Sequence, residues 1–131
     1  MILGTGCDIV KVDRFAGWVS RPELLKRFFS SKELYEADEK KHAYSHRQLE
    51  HYAVRFAAKE AFSKALGTGL RGFALSEVSV IKDELGKPEL FLEGNALSVL
   101  EKRCGKNCRV HLTLSHEKEY AMAYVIIEGE S

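Results

Sequence analysis

The pattern of hydrophobic and polar positions changes period several times, and each change predicts a new element. A run rich in Ile, Val, Thr and Gly from Ile2 to Val12 predicts a first strand. Apolar residues recur at helical spacing from Asp13 to Phe29, where Pro22 divides the run into two predicted short helices because proline suits a first helical turn. A further short helix is predicted from Ser31 to Glu39, with Ser30 or Ser31 as its N-cap.

The longest predicted element is a helix in the middle of the chain. From about Ser45 to Leu66 no Gly or Pro intervenes, and apolar residues cover most of the circumference beyond the first turns. We therefore expect the C-terminal half of this helix to be buried nearly all round. Gly67-Thr68-Gly69 ends it, since Gly67 suits the left-handed position after a helix. The charged stretch before it, around Lys40, predicts a loop.

The second half of the chain has the pattern of two hairpins with a helix between them. Strands are predicted from Leu75 to Ile81 and Pro88 to Leu92, a helix from Gly94 to Arg103, and further strands from Val110 to Leu114 and Tyr120 to Ile127. This order indicates an α+β fold, with a mainly antiparallel sheet packed against one long helix and several short helices. We expect residues 1–131 to form a single domain.

Composition limits the functions that such a domain can have. The chain has 131 residues, 20 Lys and Arg against 19 Asp and Glu, and a formal net charge of +1. A domain of this length buries roughly two-thirds of its unfolded surface, so it needs no staple by metal or disulfide. The near-neutral balance argues against a broad basic face for nucleic acid. We also expect no membrane partner, because the chain has no export signal and no run of about 18 apolar residues.

The three cysteines indicate a reducing compartment. Cys7, Cys104 and Cys108 are an odd number and form no CxxC pair, which favours a cytoplasmic location. Cys104 and Cys108 leave open a metal half-site or a disulfide, but ordinary thiols are the more common case.

Charged residues stand in the most apolar part of the long helix. Glu60 and Lys64 are four residues apart and therefore share one face. They form either a structural ion pair or part of a functional site, because functional sites also hold partly buried charges. Arg55 and Lys59 are predicted on the other side of the helix, where they would reach solvent or a phosphate.

An aspartate inside the first strand is the second anomaly. Gly4 and Gly6 precede Asp8 on the same face of the strand, which predicts open space beside its carboxylate. Asp8 and Glu60 together would suit Mg²⁺, which favours one or two protein carboxylates plus phosphate oxygens and waters. The alternative is that Asp8 only caps a turn.

Two further segments contain candidate binding residues. Ser115 and His116 are adjacent in a strand and so point to opposite faces, which excludes them as a nucleophile and its base. His116 either lines a site or is an ordinary surface histidine. Arg14 and Arg21, interleaved with aromatic residues, form either a solvated helix face or a patch for an acidic protein partner.

Five segments, in order along nearly the whole chain, resemble the holo-acyl-carrier-protein synthases, the short type of 4′-phosphopantetheinyl transferase. They are Gly4-Thr5-Gly6-Cys7-Asp8-Ile9-Val10, Arg55-Phe56-Ala57-Ala58-Lys59-Glu60-Ala61-Phe62-Ser63-Lys64-Ala65, Gly67-Thr68-Gly69, Gly86-Lys87-Pro88 and Ser115-His116. The resemblance implies the fold of that family. It also implies transfer of the phosphopantetheine arm of coenzyme A to a serine of acyl carrier protein in fatty acid biosynthesis, with release of adenosine 3′,5′-bisphosphate.

The resemblance also implies roles for individual residues. Asp8 and Glu60 match the Mg²⁺ ligands of the family, Lys64 matches a lysine near the pyrophosphate, and Glu60 is our candidate for the base that takes the serine proton. Candidate contacts to coenzyme A are Arg47, Arg55, Lys64, Gly67, Pro88 and His116. Arg14 and Arg21 match the docking region for the acidic carrier protein. Members of this type form homotrimers with active sites between subunits.

Two other classes of function use the same residues. A non-catalytic module would hold an acidic partner on the segment 14–29 and keep Glu60 and Lys64 as a structural pair. A metal-dependent hydrolase of a pyrophosphate-containing nucleotide would need both carboxylates but no protein acceptor.

Overall fold

The structure is a computed structural model that describes residues 1–35 and 44–130. Its strands are Ile2–Lys11 (β1), Val78–Lys82 (β2), Pro88–Leu92 (β3), Arg109–His116 (β4) and Tyr120–Glu128 (β5). Its α-helices are Ala16–Val19 (α1), Pro22–Phe28 (α2), His46–Leu66 (α3) and Gly94–Cys104 (α4). Single 3₁₀ turns occur at Val12–Phe15, Ser31–Glu33 and Leu75–Glu77.

The strands form two antiparallel units, as the α+β prediction requires. In the larger sheet β5 lies in the centre, between β1 and β4. Asp8 of β1 is opposite Ala123 of β5, and His116 of β4 is opposite Ala121. Strands β2 and β3 pair separately as a hairpin. Asp8 and His116 therefore lie on the same face of the larger sheet, because residues paired across antiparallel strands share a face.

Helix α3 packs on that face and forms the centre of the core. The Ser45 hydroxyl caps its N-terminus by accepting from the Gln48 N–H, and Gly67 follows its last residue with φ 79°. These ends confirm both predicted boundaries. Buried residues occur on every side of the second half of α3, including Ala57, Ala58 and Phe62, which confirms the predicted all-round burial.

The glycines of β1 have a different role from the one predicted. A Cβ at Gly4 would lie 2.0 Å from the carbonyl oxygen of Ala65, and one at Gly6 would lie 2.0 Å from that of Ala61. The space beside these glycines is filled by the backbone of α3, so they make room for the helix rather than for a ligand. Glycine is needed here because the helix lies directly against the strand.

Two predicted boundaries were also wrong, because side chains take the backbone groups that would continue each element. The helix predicted from Ser31 ends at Glu33, where the ring of His51 donates to the Glu33 carbonyl. The N–H of Tyr35 donates to the hydroxyl of Tyr52, and the chain is no longer helical there. The rest of that prediction and the Lys40 loop lie outside the described residues. The strand predicted from Leu75 begins only at Val78, after a 3₁₀ turn.

The structure tests the membrane prediction for helices only. Within residues 1–35 and 44–130, every helix is too short or too polar to cross a bilayer.

Candidate active site

A carboxylate of the sheet and a lysine of α3 meet at the edge of the larger sheet. The Lys64 ammonium lies 3.0 Å from Oδ1 of Asp8 and donates to the carbonyl of Cys7, also at 3.0 Å. The Lys64 side chain is 54% exposed, whereas that of Asp8 is 16% exposed. Asp8 is thus half enclosed by the protein, while its cationic partner faces solvent and can turn toward a ligand.

Glu60 lies one helical turn before Lys64, close enough to Asp8 for their charges to interact. Partial burial raises the pKa of Glu60, and the negative charge of Asp8 raises it further. Lys64 and Arg14 oppose this by lowering the same pKa. Two like charges held together raise the free energy of the ionised pair, which a bound cation would relieve. Glu60 and Lys64 share one face of α3, as predicted, but Lys64 forms its ion pair with Asp8.

The donor set fits a cation that also binds a phosphate. The described parts of the chain hold no group of three or more His, Cys, Asp or Glu side chains that could enclose a metal ion. Asp8 and Glu60 alone offer two hard carboxylates, which is the protein share that Mg²⁺ usually takes when substrate phosphate and water fill its other positions. These two residues would hold Mg²⁺ together with the substrate.

A second cluster forms where His116 of β4 contacts Glu50, which lies about three turns before Glu60 on α3. Oε2 of Glu50 lies 2.5 Å from Nδ1 of His116, and Oε1 of Glu50 lies 3.4 Å from Nε2 of His46. Arg47, in the first turn of α3, is exposed and directly follows His46 of this cluster in the sequence. Ten residues separate Glu50 from Glu60, which is about 15 Å along a helix. The predicted coenzyme contacts therefore divide into two groups within one chain.

The remaining candidate residues, Arg55, Gly67 and Pro88, lie at different depths in the fold. Arg55 is partly buried and donates to the carbonyl of His51, and burial lowers the pKa of its guanidinium. Gly67 lines a surface cavity of about 840 Å³ with Arg71 and Arg103, and Arg103 donates to the carbonyl at the end of α3. Pro88 opens β3 opposite Lys82.

The predicted partner patch has an aromatic base. The guanidinium of Arg14 lies 5.0 Å from the ring centre of Phe56 and 5.7 Å from that of Trp18. Arg14 also acts on the charge of Glu60, so it borders the carboxylate pair. Arg21 is exposed and pairs with Glu23 at 3.3 Å.

Lys59 is not on the solvent side, which corrects the prediction made for it. Its ammonium is fully buried and lies 2.6 Å from Oε1 of Glu33. It also donates to the carbonyls of Leu75 and Val78. The Glu33 carboxylate is buried as well and accepts from backbone N–H groups of Ser30 and Val80. No local signal separates Lys59 from Lys64, because both stand among alanines and only the tertiary neighbours differ.

Sequence reasoning also missed Glu50, which contacts His116 across the fold. A sequence signal was present, since His46 and Glu50 are four residues apart on one helix face. The partner on β4 could not be foreseen without the register of the sheet.

Comparison with known proteins shows the family of this chain. The model of the 4′-phosphopantetheinyl transferase superfamily matches residues 4–125, and the chain belongs to that family. A holo-[acyl-carrier-protein] synthase of Treponema denticola is 48% identical over 129 residues, covering 98% of this chain and 100% of the relative. The corresponding protein of Geotalea daltonii is 44% identical over 131 residues, covering 98% and 99%.

Solved structures show the same fold. A holo-(acyl-carrier-protein) synthase from Bacillus anthracis in complex with CoA (3′,5′-ADP) has a TM-score of 0.75 and 33% identity, covering 99% of each chain. The holo-[acyl-carrier-protein] synthase from Neisseria meningitidis has a TM-score of 0.79 and 36% identity, covering 98% of this chain and 99% of its own. The predicted family and fold are thereby confirmed.

Proposed function

We propose that this chain, as one domain, transfers 4′-phosphopantetheine from coenzyme A to a serine of apo acyl carrier protein. The products are holo acyl carrier protein and adenosine 3′,5′-bisphosphate. The observation that carries the proposal is the meeting of Asp8, Glu60 and Lys64 at one edge of the sheet, in a chain of this family. The exposed lysine beside two carboxylates is suited to a pyrophosphate with a bound cation.

The transfer needs one proton acceptor and one group that offsets charge on the leaving group. The serine oxygen attacks the phosphorus that carries the pantetheine arm, and a new P–O bond forms as the bond to the bridging oxygen breaks. Glu60 takes the serine proton directly or through a water. Lys64 offsets the negative charge on the oxygen released with adenosine 3′,5′-bisphosphate, or protonates that oxygen.

Asp8 and Glu60 are the proposed Mg²⁺ ligands. Bound there, Mg²⁺ would lower the charge on the pyrophosphate oxygens and so favour attack. Asp8 is held for this role by β1 and by Lys64. Arg14 lowers the pKa of Glu60 and thereby favours its ionised, metal-binding form.

We further propose a homotrimer with each active site between subunits. The separation of the His116 group from the Asp8 group along α3 supports this, because coenzyme A could then contact one group from each of two subunits. The outer face of the larger sheet also supports it. Ile9 is 62% exposed there, next to Met122 and Tyr124, and such a patch is typical of an interface.

The acidic carrier protein would dock on Arg14 and Arg21, next to the carboxylate pair. Both guanidinium groups lie at or near the protein surface, and arginine on an aromatic base is a common anchor of interfaces. We place the reaction in fatty acid biosynthesis in the cytoplasm, where the three free cysteines would stay reduced.

Mass spectrometry of apo carrier protein incubated with coenzyme A, Mg²⁺ and this chain tests the proposal. We expect one phosphopantetheine added per carrier protein, with Mg²⁺ required. Absence of the adduct while a known transferase works in parallel would contradict the function. Consumption of coenzyme A without carrier protein would indicate a hydrolase instead. Binding of carrier protein that ignores both coenzyme A and Mg²⁺, without transfer, would indicate a non-catalytic module.

A further inference from the structure

Glu50 connects two histidines that lie on different elements. Its carboxylate contacts Nδ1 of His116 at 2.5 Å through one oxygen and Nε2 of His46 at 3.4 Å through the other. The Glu50 side chain is 22% exposed, whereas His116 is 54% exposed. The carboxylate thus lies behind the ring, and the ring faces solvent. The proposed transfer mechanism assigns no role to Glu50.

This contact bears on which ring nitrogen of His116 carries a proton. An ionised carboxylate accepts hydrogen bonds and donates none, so its position 2.5 Å from Nδ1 favours a proton on Nδ1. Because Nδ1 is the nitrogen that contacts Glu50, Nε2 lies on the other side of the ring. His116 lies on the α3 face of the larger sheet, and its side chain is 54% exposed, so solvent reaches the ring. Nε2 is therefore the nitrogen available to a ligand.

The carboxylate also determines which ligand this nitrogen suits. In the imidazolium form both ring nitrogens carry protons, so Nε2 can donate to a ligand while Nδ1 faces Glu50. A donating imidazolium binds an anion through a charge-assisted hydrogen bond. The charged or titratable neighbours include Glu50 and His46 on α3, Glu117 after β4 and Tyr120 at the start of β5. If the His116 ring did not lie between Glu50 and the ligand, the negative charge of Glu50 would repel an anionic ligand.

We propose that Glu50 is a positioning residue that fixes the ring and the proton of His116, so that Nε2 donates to a phosphate group of coenzyme A. This inference rests on the proposed function, and it adds a residue to the coenzyme site. His46 has the longer contact and an exposed side chain, so it is secondary. The pair is partly exposed and contributes little to stability, which lets an effect on coenzyme affinity be separated from an effect on folding.

The first test is independent of turnover. Nitrogen-15 NMR of the histidine rings, with the His116 signals assigned from their loss in His116→Asn, reports which nitrogen is protonated. In the wild-type protein we expect a proton on Nδ1. In Glu50→Ala we expect the neutral ring to move toward the form protonated on Nε2. A wild-type ring with a bare Nδ1 would overturn the proposal, as would a ring whose Nε2 stays unprotonated when coenzyme A is bound.

The second test separates binding from turnover. We expect Glu50→Ala to raise the KM for coenzyme A about tenfold, the effect of losing one charge-assisted contact, while kcat changes less than about threefold. The KM for carrier protein should not change. Glu50→Gln keeps an acceptor for Nδ1 but loses the charge, so it should restore part of the affinity. His46→Gln is the matched control and should leave both constants within about twofold.

A double variant decides whether Glu50 acts through His116. If it does, Glu50→Ala should add little to the KM of a protein that already carries His116→Asn. Independent, additive effects would overturn the proposal, as would an unchanged KM in Glu50→Ala. A wild-type protein that transfers nothing would contradict the proposed function instead, and the NMR measurement would still decide the orientation of His116.

Discussion

Two lysines on α3, five residues apart, have opposite environments. Lys59 is fully buried, and its ammonium donates to the Glu33 carboxylate and to two backbone carbonyls. Lys64 is 54% exposed and donates to Asp8 and to one carbonyl. A buried ammonium with three protein acceptors has no capacity left for a ligand, because it has three donors in total. An exposed one keeps a donor and freedom to move.

The difference shows how one helix serves both stability and chemistry. The side of α3 that carries Lys59 joins the segment 30–35 to the β2 hairpin through Glu33. The side that carries Lys64 lies against Asp8 and the Glu60 carboxylate. Burial lowers the pKa of Lys59, and the pairing with Glu33 opposes this effect. Four predictions test the contrast, from the largest expected effect to the smallest.

Asp8→Ala or Glu60→Ala should reduce transfer by more than about a hundredfold, because either change removes a proposed metal ligand. The fold should be retained, since both carboxylates lie at the edge of the core. The assay is the mass spectrometry of carrier protein described above, with circular dichroism to check folding. Asp13→Ala, an exposed acidic residue of the next turn, is the control. Turnover at the wild-type rate in either variant would exclude the metal role of that residue.

Lys59→Met should lower the free energy of unfolding by about 3–5 kcal/mol, because it leaves the Glu33 carboxylate buried without its cation. Urea denaturation measures this change. The double variant Lys59→Met/Glu33→Gln should recover part of the loss, since the unpaired charge is then gone. A loss below about 1 kcal/mol in the single variant would mean that the pair is solvated rather than buried.

Lys64→Met is the matched change on the other side of the helix. It should lower transfer about a hundredfold, the usual scale of a lost general acid, while the free energy of unfolding changes by less than about 1 kcal/mol. Comparing kcat with the urea midpoint of the same preparation separates the two effects. A variant that loses stability as Lys59→Met does, but keeps its activity, would reverse the assignment of the two lysines.

Glu60→Gln should stabilise the metal-free protein slightly near neutral pH. The folded state raises the pKa of Glu60, so the folded protein holds this proton more tightly than the unfolded chain does. The stability from Glu60 is therefore complete below the unfolded pKa and decreases as pH rises through the folded value. Thermal unfolding at pH 4 and pH 7 without metal should show a gain in Glu60→Gln only at the higher pH. A lower melting temperature for Glu60→Gln at pH 7 would contradict the sign.

The order of elements and much of the site were predictable from the sequence for local reasons. Ser45 and Gly67 cap α3 at the two ends that the pattern predicts, because capping depends on a few neighbouring residues. The sequence grouped Asp8 with Glu60, and the structure brings the two charges close together, but the ion pair of Asp8 with Lys64 was not predicted. The short helix after Ser30 was overpredicted because Tyr52 and His51, distant in sequence, take its backbone groups.

The sequence by itself determined the family, the α+β order and the residue types of the acidic site, because these are encoded in local periodicity and in motifs. Only the tertiary structure decided which charge is buried. Lys59 and Lys64 have the same intrinsic chemistry, and their different roles come from Glu33 and Asp8, which reach the helix from distant parts of the chain. The free energy of a charge depends on its solvent exposure and its partners, and both are set by packing rather than by neighbouring residues in sequence.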